Sequence, residues 1–161
     1  MITTDLLIIK ASNFIADLEG FREYAYKDSA GIWTYGFGFT KTPNGNKVTE
    51  FDRITKDRAI RYLRDIILID YQHIYSAVRV PLNGHQWTAL LSFVYNIGIT
   101  SFRRSTLLSK INKNAGKDEI TKEFQKWVYA NGQVIKGLQN RRNKEIAKYF
   151  YSESGRLDLF I

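Results

Sequence analysis

The chain has no cysteine among its 161 residues. Disulfide staples and thiolate metal sites are therefore excluded, and the composition suits a reducing compartment. Its two histidines, His73 and His85, are not spaced as HExxH, so a zinc site has no support. Prolines stand only at 43 and 81, and no low-complexity tract, repeat or flexible linker interrupts the chain. Long apolar runs are missing too. In MITTDLLIIKASNFIADLEG, the residues Asp5, Lys10, Asn13 and Asp17 break up what a signal peptide or membrane span needs, which predicts no stable membrane insertion.

Acidic residues are outnumbered: 16 Asp and Glu face 24 Lys and Arg, for a net charge of +8. That balance fits a polyanionic partner such as nucleic acid, anionic lipid or a bacterial wall, or simple solubility, and charge alone does not choose. With 44% hydrophobic residues the chain is long and apolar enough for one cored domain.

The chain changes character between Glu19 and Thr40, EGFREYAYKDSAGIWTYGFGFT. Phe14, Ile15, Leu18 and Phe21 have helical spacing up to about Glu23; a short helix over about 3–11 precedes them or runs into them. Tyr24, Tyr26, Ile32, Trp33, Tyr35 and Phe37 then crowd among Asp, Ser and Gly, as in a β-hairpin region. Pro43-Asn44-Gly45-Asn46 is the strongest turn signal, with Phe37, Phe39 and Val48 as expected strand residues. Thr55 offers an N-cap to a long helix reaching about Val78 and stopped by Pro81. HQWTALLSFVYNIG, apolar nearly all round, predicts the central helix of a second lobe, ended by Gly98. Helical patterns follow over 101–112, 117–129 and 140–151. The reading is α+β: a two-lobed fold with a small β-containing lobe over about 14–55, a connecting helix over about 55–80 and a helical lobe over about 81–161.

Several motifs fail. Gly36 and Gly38 begin a GxGxxG, but Lys41 stands at the third glycine position and no Walker lysine pattern follows. No GxSxG elbow supports a serine triad. Trp33, Trp87 and Trp127 are scattered and form no stacking platform, so nucleic acid is not favoured. Paired carboxylates remain. Glycoside hydrolysis needs a neutral acid for the leaving oxygen and an ionised carboxylate to activate water or attack the sugar. Glu19, on the last turn of a helix, suits the first task, and Asp28, in a polar turn, the second. By spacing alone Glu23 and Asp17 serve as well.

At these residues the chain resembles the phage-type lysozymes, the muramidase endolysins of glycoside hydrolase family 24. Glu19, Gly20, Ala25, Tyr26, Asp28, Gly31, Thr34, Gly36 and Gly38 fall on that family's signature. ITKDRA, ALLSFVYNIG, SFRRSTLLSKIN and EFQKWVYANGQVIKGLQNRR extend the likeness over almost the whole chain. The resemblance implies one catalytic domain over 1–161 that hydrolyses β-1,4 bonds between N-acetylmuramic acid and N-acetylglucosamine in peptidoglycan. Glu19 would be the general acid, and Asp28 with Thr34 would position the attacking water, an inverting arrangement with carboxyls about 6.5–9.5 Å apart. Arg141 matches an arginine that approaches the acid. Tyr95 and Asn96 match positions lining the saccharide groove and Ser105 a position near it, although core packing or helix capping accounts equally for these three; Thr40, next to Phe39, is expected to touch sugar. No cofactor or metal is implied.

A phage endolysin of this kind would be a monomer that accumulates in the cytoplasm of the infected bacterium and depends on a holin to reach the wall. Many family members carry His where this chain has Phe39, so packing is expected to replace a polar contact there. Two rival readings are a non-catalytic peptidoglycan-binding module on the same fold, and a membrane-active protein working through the basic helix from Arg141 to Tyr151.

Overall fold

Helix α1 (Thr4–Glu19) buries Leu7, Ile8, Ala11, Ser12 and Ile15, one stripe at helical spacing. It is a single helix, and it ends four residues before the expected limit. Gly20 turns left-handed at φ +70°, and its N–H returns to the Ala16 carbonyl at 3.0 Å. Phe21 thus leaves the helix and packs on Phe37, with ring centroids 5.4 Å apart.

The computed structural model describes residues 2–152. Its chain forms two compact units, the first being Thr4–Ile69 and the second Asp70 onward together with residues 2 and 3.

In the first unit, β1 (Arg22–Lys27) pairs antiparallel with β2 (Trp33–Gly36), setting Tyr26 opposite Thr34. The turn at 43–46 forms as its residues predict: Gly45 N–H reaches the Thr42 carbonyl at 2.8 Å, with Gly45 at φ +84°. Phe37, Phe39 and Val48, expected on strands, lie outside them yet are buried. Tyr35 and Phe39 exchange both backbone hydrogen bonds, so the chain doubles back too tightly for a regular ladder. Gly36 permits this: a Cβ there would stand 2.6 Å from two ring carbons of Phe39. Phe39 packs edge-on against Tyr35, Phe37 and Tyr62, the apolar contact expected of it.

Helix α2 (Lys56–Tyr75) begins in this unit, its Arg58 N–H directed at the Thr55 hydroxyl at 3.4 Å, and its last residues belong to the second unit. Ala59, Leu63, Ile67 and Ile74 form its buried stripe. It stops three residues before the expected Val78 and well before Pro81. Asn112 takes over the groups beyond its end: its side chain accepts at 2.7 Å from Arg79 N–H, which a longer helix would have given to the Tyr75 carbonyl, and donates at 2.9 Å to the Ala77 carbonyl, whose helical donor would have been Pro81, which has no N–H.

The second unit is built on α3 (Gly84–Ile97), opened by a reciprocal Asn83–Gln86 capping box and closed by Gly98 at φ +88°. Every residue from Trp87 to Val94 is buried. The helix expected over 101–112 is two, α4 (Ile99–Arg103) and α5 (Thr106–Asn112), because Ser105 caps the second. α6 (Lys117–Gln125) ends early, giving way to the small hairpin β3 (Tyr129–Ala130) and β4 (Gln133–Val134). Asn131 and Gly132, at φ +51° and +76°, make its turn, an Asn-Gly signal that the sequence carried. α7 (Lys136–Tyr149) packs on α3 and starts four residues before the expected 140. Phe93 sits at the centre, edge-on to Phe102, Phe124 and Trp127.

The basic helix does not present the surface that a membrane-active reading required. Arg141, Arg142 and Tyr149 are buried. Among the described residues no helix is long and apolar enough to cross a membrane.

Candidate active site

The first unit holds Glu19, Asp28, Thr34 and Thr40. Glu19 is the last residue of α1 and is half-buried. Its carboxylate lies against Gly38, where a Cβ would come within 3.1 Å of Oε2. Gly38 has φ +83° and no side chain, so the backbone passes the acid closely.

Asp28 occupies the turn between β1 and β2. Its Oδ1 accepts from the N–H groups of Ala30 and Ile32, both at 2.9 Å, while its own backbone exchanges bonds with Ile32 and Gly31. One oxygen therefore fixes the side chain to its turn, and Oδ2 is left for other work. Thr34 is buried on β2 and donates its hydroxyl proton to the Ile32 carbonyl at 3.0 Å. Toward a water molecule the Thr34 oxygen can only accept. Thr40 is exposed, and its carbonyl accepts from Val48 N–H at 3.1 Å.

The other nearby acids are differently engaged. Glu23 forms a surface ion pair with Arg53, which also lies over the Tyr24 ring. Asp17 is exposed on α1.

Arg141, Tyr95, Asn96 and Ser105 lie in the second unit. Ser105 is buried at the N-cap of α5: its oxygen accepts from Leu108 N–H at 3.1 Å and its proton goes to the Phe102 carbonyl at 2.7 Å. Tyr95 is half-buried and Asn96 exposed, both near the end of α3. Asn96 Oδ1 accepts from Arg142 at 2.7 Å. Arg141 reaches Glu145 and the Ser92 carbonyl, each at 3.2 Å.

Sequence reasoning missed Arg142 and Glu145. Both are fully buried, joined at 2.8 Å, with Ser92 donating to Glu145 at 2.7 Å. Burial pushes the Glu145 carboxyl up while Arg142 and the Ser92 hydroxyl pull it down, and burial brings Arg142 down to about 10. The available signal was an acid three residues after an Arg-Arg pair, on a helix whose partner carries Ser92. Among the described residues, no group of three or more His, Asp or Glu is placed to hold a metal ion.

A small β-containing unit, a long helix and a helical unit make up the lysozyme architecture. The sequence pattern of the phage lysozyme family matches residues 16–145. An endolysin of Acyrthosiphon pisum secondary endosymbiont phage 1 is 38% identical over 135 residues, covering 81% of this chain and 88% of that relative. Among solved structures, the endolysin from Escherichia coli O157:H7 phage FAHEc1 superimposes with a TM-score of 0.80 at 32% identity, over 88% of this chain and 90% of its own. The muramidase domain of SpmX from Asticaccaulis excentricus gives 0.76 at 29% identity, over 88% and 95%. The chain belongs to the phage lysozyme family, and with it to the muramidases among the glycoside hydrolases.

Proposed function

We propose that this muramidase is an endolysin that cuts the β-1,4 bond between N-acetylmuramic acid and N-acetylglucosamine of peptidoglycan with inversion. Glu19 gives its proton to the glycosidic oxygen. The attacking water gives one proton to Asp28 Oδ2 and directs the other at the Thr34 oxygen, which leaves a lone pair for the anomeric carbon. The observation that carries this reading is the committed Thr34 proton together with the Asp28 oxygen spent on Ala30 and Ile32. Both hydrogens of the water thereby have acceptors, and Asp28 has one orientation. Inversion from a β-linkage requires that the first product be the α-anomer.

In this reading Thr40 of the first unit and Tyr95, Asn96, Ser105 and Arg141 of the second serve substrate binding. The chain works as a monomer. It accumulates inside the producing bacterium and reaches the wall when a holin opens the membrane.

Release of reducing ends from purified peptidoglycan, compared with Glu19→Gln, tests the assignment. Loss of release in a variant with an unchanged circular dichroism spectrum is expected, and retained release overturns it. A folded wild type that sediments with wall and cuts nothing is a binding module instead. Proton NMR of the first-formed product reads the anomer, and a β-anomer rules out inversion.

A further inference from the structure

Between β2 and α2 the chain is held by isolated pairings, Tyr35 with Phe39 and Lys41 with Lys47, rather than by a ladder. Gly36 and Gly38, at φ +62° and +83°, restrict its backbone little. Side chains must therefore fix where this loop lies. Gly38, exposed at its tip, borders the space beside the Glu19 carboxylate, where a Cβ would stand 3.1 Å from Oε2. A shift of the loop alters that space directly.

Tyr62, half-buried on α2, grips the loop at two points with one side chain. Its ring lies 4.7 Å from that of the buried Phe39, and its hydroxyl donates to the Thr42 carbonyl at 3.2 Å. Phe39 follows Gly38 directly in the chain. Burial pushes the Tyr62 hydroxyl up from its ordinary 10.0, so it stays protonated and a donor at neutral pH. Ala59, Leu63 and Ile67, all fully buried, anchor α2 in the same unit, so the grip has a firm base. We propose that Tyr62 is a positioning residue for the reaction: by clasping Phe39 and Thr42 it sets the loop, and with it Gly38, beside Glu19. The inference rests on the reading of Glu19 as the acid, proposed above.

Three variants of the whole chain test it. Tyr62→Phe removes the hydroxyl and keeps the ring, Tyr62→Leu removes both holds, and Tyr71→Phe, which loses a hydroxyl elsewhere on α2, is the control. On soluble, fluorescently labelled peptidoglycan fragments, kcat is expected to fall at least about fivefold in Tyr62→Phe and further in Tyr62→Leu, with KM within about twofold of the wild type's. Tyr71→Phe is expected to keep the wild-type kcat. In nitrogen–proton NMR spectra of Tyr62→Phe, the backbone amides of Gly38 and Glu19 are expected to shift while those of Ala30 and Ile32, in the Asp28 turn, stay in place. Unchanged kcat in the folded Tyr62 variants, an equal loss of kcat in Tyr71→Phe, or a Gly38 amide that does not move would overturn the proposal. The spectra need no cleavage and can be repeated in Glu19→Gln. A wild type that cuts nothing therefore removes the muramidase mechanism, and an unmoved Gly38 amide removes the clasp, so the two fail separately.

Discussion

Gly38 leaves open the space beside the carboxylate of Glu19: a Cβ on residue 38 would stand 3.1 Å from Oε2, on a backbone at φ +83°. Gly38→Ala therefore strains the chain by about 1–2 kcal/mol and displaces the acid at the same time. Activity on purified wall is expected to fall about tenfold or more, beyond what the lowered melting temperature explains, because misplacement of a reacting group is costly. Parallel thermal melts and reducing-end assays check it; unchanged activity in a folded variant would separate Gly38 from the site.

Asp28 does two jobs with two oxygens, and substitutions can split them. Asp28→Asn keeps an oxygen for Ala30 and Ile32 but loses the base, so activity drops about 10²–10⁴-fold with little change in stability. Asp28→Ala loses both, and a further fall of about 1 kcal/mol in stability is expected. Denaturant unfolding of the two variants distinguishes them.

Burial raises the Asp70 carboxyl to about 6 from 3.8, with His73 pulling the other way. Because the folded value lies above the unfolded one, the stabilisation from protonated Asp70 is whole below about pH 4 and is lost as pH rises through about 6. Asp70→Asn stays neutral throughout. Its unfolding free energy is expected to exceed the wild type's at pH 7, by on the order of 1 kcal/mol in urea titrations once solvent screening at this half-buried site is allowed for, and to match it near pH 4. An equal gain at both pH values would remove Asp70 as the cause.

Glu145 is a buried carboxylate shared by Arg141 and Arg142. Replacing it with Gln leaves guanidinium charge in the interior without its counter-ion, at a cost of about 3–5 kcal/mol. Ser92→Ala, which removes only the 2.7 Å hydroxyl bond, is expected to cost about 1 kcal/mol. Urea unfolding of both variants compares the two costs, and near-equal losses would mean that the pair contributes no more than its hydrogen bonds.

Features with a local cause were legible in the sequence. The Thr55 cap, the Gly98 stop, the turn at Pro43–Asn46 and the amphipathic stripe of α2 each depend on residues within a few positions of one another, so spacing is enough to find them. The family signature is likewise local, because Glu19, Asp28 and Thr34 sit on one helix end and one hairpin.

Where an element ends, or whether a charge is buried, depended on distant partners. Asn112 takes over the groups beyond the end of α2, on residues 33 and 35 positions away, and Phe39 needs Gly36 and Tyr62 to be buried off any strand. Nothing close to Arg142 or Glu145 along the chain marks them as interior; Ser92 and Asn96, 53 and 46 positions from the groups they bond, make them so. The sequence by itself determined the helices, the turns and the chemistry on offer, since propensity, capping and turn geometry act over a few residues. Only the tertiary structure decided which polar groups were withdrawn from water and which oxygen of Asp28 stayed available, because desolvation and hydrogen-bond satisfaction are settled by what packs alongside.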